Sequence, residues 1–142
     1  MKRMVNGAGR TGPRTAGTGA RATKDDWMRT HIRQVHMDFH MPEFPPEAIR
    51  NFDAKEFVGH LRRGRVNMAA LFGKCHFGNS FYNTRVGHKH AGLPNDFLRE
   101  AAEECRRHDI RTLAYYSLCC DRRAYEYYPH WRAMDAAGAA LP

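Results

Sequence analysis

Between Ile32 and His40 the chain alternates apolar and polar positions, with Val35, Met37 and Phe39 pointing one way and His36, Asp38 and His40 the other. A period of two is the mark of a strand with one apolar and one polar face. Met41-Pro42-Glu43-Phe44-Pro45-Pro46 then enforces an extended loop, because each proline removes a donor and restricts its predecessor. After Asp53 the period becomes helical. Asp53 suits an N-cap with Glu56 three residues on, Phe52 and Phe57 suit a hydrophobic staple, and Gly64 suits the C′ position. Phe57, Val58 and Leu61 form the apolar stripe of this helix. Val66 to Phe72 carries few polar residues, as a strand buried in a parallel sheet should.

A second helix is predicted from Pro94 or Asn95 to His108, with Phe97, Leu98, Ala101, Ala102 and Cys105 on one face. Arg99 with Glu103 and Glu103 with Arg107 have the spacing of i,i+4 ion pairs. Ile110 to Tyr116 makes a third strand. Strand, helix, strand, helix, strand in this order implies an α/β fold with parallel pairing and right-handed crossovers. A short helix or turn is expected from Asp25 to Thr30, and a helical turn from Arg122 to Tyr128 stopped by Pro129. Nothing beyond it predicts a fourth strand.

Length and charge narrow this picture. The 142 residues, 42% of them hydrophobic, support one core. Residues 1–24 combine Gly, Thr, Arg and Pro with almost no large apolar side chain and read as a disordered basic leader, leaving 25–142 as the folded part. The net charge of +8 is dispersed between that leader and pairs such as Arg62-Arg63, Arg106-Arg107 and Arg122-Arg123 near helix ends, so a nucleic-acid footprint is not favoured. No apolar run approaches the roughly 18 residues of a membrane span, and no secretory h-region is present, so no membrane association is expected. Cys75, Cys105, Cys119 and Cys120 show no zinc spacing, and adjacent Cys119-Cys120 would form a strained disulfide; reduced thiols and a cytoplasmic setting are expected.

Candidate chemistry collects where the strands end. Asp38 and His40 close the first strand, Lys74 and His76 follow the second, and Tyr116-Ser117 closes the third. In a parallel sheet those ends converge, and α/β folds bind ligands there. Asp38, His40 and His76 are expected to converge on one ligand, for hydrogen bonds to sugar hydroxyls or for a catalytic or metal role; with Lys74, Tyr116 and the loop histidines His88 and His90 they are the candidate substrate-binding residues. A metal-dependent hydrolase built on Asp38, His40, His76, His88 and His90 is the weaker reading, because paired histidines on the first strand of such enzymes do not match His36 and His40, four residues apart. No metal or other cofactor is expected. Cys75 beside His76 lacks a third orienting group and is discounted as a nucleophile. A small α/β binding module for an anionic partner is a further alternative.

Several ordered motifs resemble a known family. Phe72-Gly73-Lys74-Cys75-His76-Phe77-Gly78, Phe81-Tyr82-Asn83-Thr84, Gly87-His88-Lys89-His90-Ala91-Gly92-Leu93, Leu113-Ala114-Tyr115-Tyr116-Ser117, Pro129-His130-Trp131 and Asp135-Ala136-Ala137-Gly138 resemble the N-terminal part of fucosidase-like TIM-barrel glycoside hydrolases. The group called hypothetical glycosyl hydrolases, often joined to a β-galactosidase-type trimerisation domain, is the nearest in pattern, over about Arg33 to Gly138. The resemblance implies a partial (β/α)₈ TIM barrel, its first three parallel strands with two intervening helices, binding a carbohydrate substrate with His76 and Tyr116 at contact positions. It also implies catalytic carboxylates on the fourth strand or later. Glycoside hydrolysis needs two suitably spaced carboxyl groups, and Asp38, Glu43 and Asp121 match no catalytic position. The expectation is a fragment that contributes part of a sugar site, is inactive alone and self-associates through an open sheet edge.

Overall fold

The computed structural model of the chain describes residues 26–141, so the expected leader lies outside the described residues. In chain order it comprises α1 (Trp27–Thr30), β1 (Gln34–His36), α2 (Ala54–Arg63), β2 (Met68–Lys74), β3 (Asn79–Ser80), β4 (His88–Lys89), α3 (Phe97–Arg107), β5 (Arg111–Tyr116) and α4 (Arg122–Tyr127), with 3₁₀ turns at Pro46–Ile49 and Pro129–Trp131. The centre is the parallel trio β1-β2-β5. β1 pairs with β2 at Gln34↔Met68 through His36↔Ala70, and β2 pairs with β5 from Met68↔Arg111 to Lys74↔Tyr116.

The expected alternation over Ile32–His40 survives, although the ladder stops at His36. Val35 and Phe39 pack against the core, whereas His36 and His40 both present their rings to Phe72 and Tyr115. The ladder ends early because the Asp38 carboxylate accepts the His40 N–H at 2.9 Å and the Met41 N–H donates to the Phe39 carbonyl at 2.9 Å. These local bonds compete with strand pairing.

α2 and α3 pack on each other and on one face of the sheet. Val58, Leu61, Phe97, Ala101 and Cys105 meet Ala69 and Leu71 in the core. The signals that start the helices act as expected. Asp53 accepts the Glu56 N–H at 2.7 Å, Phe52 and Phe57 lie 5.7 Å apart, and Asp96 accepts the Arg99 N–H at 3.0 Å, so α3 starts at Phe97 rather than at Pro94 or Asn95. Two expectations need correction. Gly64 keeps φ −76°, and Arg65 takes the left-handed position with φ 53°. On α3 the partner of the cations is Glu104, which meets Arg107 at 2.6 Å and the His108 ring at 3.2 Å; its side chain is largely covered, and the Arg107 guanidinium and the two hydrogen bonds offset its desolvation.

β3 and β4 were not expected. After β2 the chain turns back at Gly78, whose N–H donates to the Cys75 carbonyl while the Cys75 N–H donates to Asn79, and β3 then pairs antiparallel with β2. β4 pairs parallel with β3. Two-residue strands carry too few positions to show a period. At the C-terminus, Met134 and Ala140 form an isolated antiparallel bridge rather than a fourth strand. Among the described residues, the edge of β5 away from β2 has no paired strand, and Leu113 on it is exposed.

Candidate functional site

The segment after β1, the end of β2 and the end of β5 bring His40, Lys74 and Tyr116 to one margin of the sheet. A β-bulge shapes this corner. Phe72 is opposite Tyr115 and Lys74 opposite Tyr116, so β2 carries one extra residue, Gly73, where a Cβ would lie 3.3 Å from the Tyr115 carbonyl oxygen. Bulges re-aim side chains, and here the Lys74 ammonium comes 4.9 Å from the centroid of the Tyr116 ring. The same ammonium donates to the Asp121 carboxylate at 2.5 Å, with both side chains largely covered.

His76 follows directly. Its ring stacks on His40 with centroids 3.9 Å apart, its backbone N–H donates to His40 Nδ1 at 3.2 Å, and its carbonyl accepts the Arg122 N–H at 2.8 Å. Among the described residues no hydrogen bond is made by the His76 ring nitrogens. Partial burial, then the neighbouring Tyr82, pushes the Tyr116 phenol above its ordinary value, so it is a neutral hydrogen-bonding group at neutral pH. An open cleft of about 600 Å³ lies against this corner, lined by Lys74, His76, Asp121, Tyr125 and Trp131 among others. Trp131 is 66% exposed and stacks on Tyr128. An exposed indole beside cations, a carboxylate and an imidazole suits a ligand with both apolar faces and hydroxyl groups. Asp121 is the only carboxylate residue lining the cleft among the described residues.

The remaining candidates separate from this corner. Asp38 is exposed and reaches His40 Nε2 only at 3.9 Å. His88 Nε2 is hydrogen-bonded to Glu43 at 2.5 Å, and the other Glu43 oxygen accepts from Arg123 Nη2 at 2.8 Å. Partial burial works to raise the Glu43 carboxyl, but the His88 and Ala91 hydrogen bonds and the charges of His88 and Arg123 outweigh it and hold the group below its ordinary value. Arg123 also donates to Asn79, so this network ties the proline loop, β3 and α4 together beside the cleft. His90 is enclosed by the protein. It is 1% exposed, Nε2 bonds the Pro42 carbonyl at 2.9 Å, and Nδ1 accepts the Gly92 N–H at 3.0 Å, so both ring nitrogens are already used. The Ser117 hydroxyl is likewise engaged, donating to the Cys120 carbonyl at 2.6 Å. Among the described residues no group of three or more His, Cys, Asp or Glu is placed to hold a metal ion.

Sequence reasoning missed Glu43 and Arg123 as hydrogen-bond partners of each other. Asp121 carried a detectable signal, since an acid just before Arg122 suits the cap it makes to Ala124 N–H at 2.9 Å.

The parallel strands backed by helices, with histidine, lysine and tyrosine at their carboxyl ends beside an aromatic cleft, match a glycoside-hydrolase-like domain on comparison with known proteins. The family model described as Hypothetical glycosyl hydrolase 6 matches residues 53–142, and the chain belongs to that family. Among solved structures, alpha-L-fucosidase isoenzyme 2 from Paenibacillus thiaminolyticus is similar with a TM-score of 0.69 and 32% identity, over 75% of this chain and 16% of that one. A variant of alpha-L-fucosidase AlfC in complex with Fuca(1,6)GlcNAc shares the fold with a TM-score of 0.50 and 20% identity, over 81% of this chain and 37% of that one; AlfC is from Lactobacillus casei. The chain thus spans well under half the length of either protein. No curated protein matches it. Among the described residues no helix is long and apolar enough to cross a membrane.

Proposed function

We propose that this chain supplies the β1-β2-β5 wall of a (β/α)₈-type barrel and, on it, part of a binding site for an α-L-fucoside or a closely related sugar. The observation that carries this reading is the His40–His76 stack beside Lys74, Asp121 and Tyr116 at the carboxyl margin of three parallel strands, next to the Trp131 cleft. Barrel enzymes build their sites at that margin. In this reading the free His76 nitrogens and the Tyr116 phenol hydrogen-bond sugar hydroxyls, Lys74 and Asp121 form a paired donor and acceptor, and Trp131 stacks on an apolar sugar face. Asp38 and His88 stand at the rim and His90 behind it.

Cleavage needs a second carboxyl group placed across the scissile bond from the first. Asp121 is the only carboxylate lining the cleft among the described residues and is paired with Lys74, which supports a role in binding rather than in hydrolysis by this chain; barrel closure with further strands beside β5 would supply the partner. The experiment is saturation-transfer NMR of methyl α-L-fucoside with the protein, alongside a chromogenic α-L-fucoside assay. Transfer to the sugar without hydrolysis is expected, with transfer lost in His76→Ala. Absence of transfer to the wild-type protein overturns the binding role, and turnover overturns the division between binding and catalysis.

A further inference from the structure

A second concavity, of about 410 Å³, lies at the opposite end of the sheet, where β2 and β5 begin. Arg33, Arg62, Arg65, His31, His108 and Asp109 line it. None of the three arginines has a carboxylate partner in the described ion pairs, and Asp109, the one acid, is 3.7 Å from His31. The positions are fixed by the backbone. Arg33 Nε donates to the Arg65 carbonyl at 2.6 Å; the Asn67 side chain accepts the Arg33 N–H at 2.9 Å and donates to the Thr30 carbonyl at 2.9 Å. The Arg65 N–H donates to the Arg62 carbonyl and the Val66 N–H to Leu61.

Cations in the last turn of a helix normally answer the macrodipole, and Arg62 fits that account. Arg33 and Arg65 lie outside the helices. The carboxyl ends of α2 and α3 bring roughly half a negative charge each, and with Asp109 they still fall short of three guanidiniums. Arg65 and Asp109 are also the two described non-glycine residues with positive φ, 53° at each, and both line this cavity. A left-handed arginine directly after Gly64 places its side chain where a glycine at that position would place none.

We propose that this concavity is an anion site for a phosphate or sulfate group, gripped by Arg33, Arg62 and Arg65, at the end of the sheet remote from His76. Guanidinium groups match tetrahedral oxyanions through paired N–H donors, and the volume leaves room for a substituent on the anion. The test is phosphorus NMR of the full chain with inorganic phosphate and with phenyl phosphate, at constant ionic strength set by sodium chloride. Saturable line broadening is expected for the phosphates, reversed by competing sulfate and reduced several-fold in both Arg62→Gln and Arg65→Gly. The glycine variant keeps the left-handed backbone, so it reports the lost guanidinium without a folding defect. Broadening of phenyl phosphate alone marks an ester-bearing ligand, and of both compounds a site that also takes the free ion. No broadening, or broadening unchanged in both variants, overturns the site.

Discussion

His40 holds His76 in two ways at once, by a ring stack with centroids 3.9 Å apart and by Nδ1 accepting the His76 backbone N–H at 3.2 Å. The two residues come from different crossover connections, so the contact sets where the loop after β2 leaves the sheet. His40→Ala is expected to lower the unfolding free energy by about 1 kcal/mol, the usual net value of one hydrogen bond, and to weaken fucoside binding by displacing the His76 ring. His76→Ala should remove binding while changing stability less. Urea titrations followed by circular dichroism and saturation-transfer NMR separate the two effects. Equal binding by His40→Ala and the wild type would show that His40 does not position His76.

Gly78 makes the turn that brings the loop back as β3. Its φ of 84° is left-handed, and a Cβ there would lie 2.5 Å from Asp121 Oδ1 and 2.7 Å from Arg123 Cβ. Gly78→Ala therefore combines backbone strain of about 1–3 kcal/mol with displacement of the start of α4. We expect the urea midpoint to fall and the Trp131 fluorescence to change together. A variant as stable as the wild type would mean that the turn and α4 are not packed as described.

Both of these residues lie in a segment whose sequence was only partly legible. The long elements were readable because several cues agreed: Asp53 caps, Val58, Leu61, Ala101 and Cys105 keep the helical period, and β2 is apolar from Met68 to Gly73. His40 and His76 were readable as a pair because strand ends converge in any parallel sheet. The partners of Glu43 were not, since His88 and Arg123 lie 45 and 80 residues away and no local pattern couples them. The partners of the His90 ring were hidden for a related reason. A histidine in a polar loop looks available for ligand until tertiary contacts show Pro42 and Gly92 occupying its two nitrogens.

The Glu43 network makes the proline loop sensitive to acid. The carboxyl binds its proton less readily in the folded chain than in the unfolded one, so its contribution is in place above the ordinary carboxylate value near pH 4.3 and is lost as pH falls through the lower folded value. Stability measured from about pH 6 down to pH 3 should fall more steeply for the wild type than for Glu43→Gln, which removes the titrating group. Parallel curves would show that the tether to His88 and Arg123 contributes nothing to folding.

Thiol reactivity tests the core independently. Cys119 and Cys120 are exposed, whereas Cys75 and Cys105 are fully buried. Burial, then the charge of Glu104, pushes the Cys105 thiol up to about 11. Ellman's reagent should modify Cys119 and Cys120 in the native protein and reach Cys75 and Cys105 only on unfolding. Rapid labelling at Cys105, located by peptide mass spectrometry, would contradict the packing of α3 on the sheet.

Asp121 joins the site to the fold. It accepts from the Lys74 ammonium at 2.5 Å and from the Ala124 N–H at 2.9 Å, so one carboxylate both neutralises the cation beside Tyr116 and caps α4. Asp121→Asn retains the shape and a capping oxygen but leaves a largely covered ammonium without its charge partner. Breaking a buried pair from one side typically costs about 3–5 kcal/mol, and a pair near the surface at most about 1 kcal/mol. With side chains 13% and 16% exposed, this pair belongs between, and about 2 kcal/mol is expected for Asp121→Asn. Lys74→Met should cost less, because the Ala124 N–H still satisfies part of the carboxylate. The double variant should be more stable than the sum of the single losses implies, since neither charge is left unpaired. Additive losses in this double-mutant cycle would show that Lys74 and Asp121 are solvated separately, and would remove the paired donor and acceptor from the proposed sugar site.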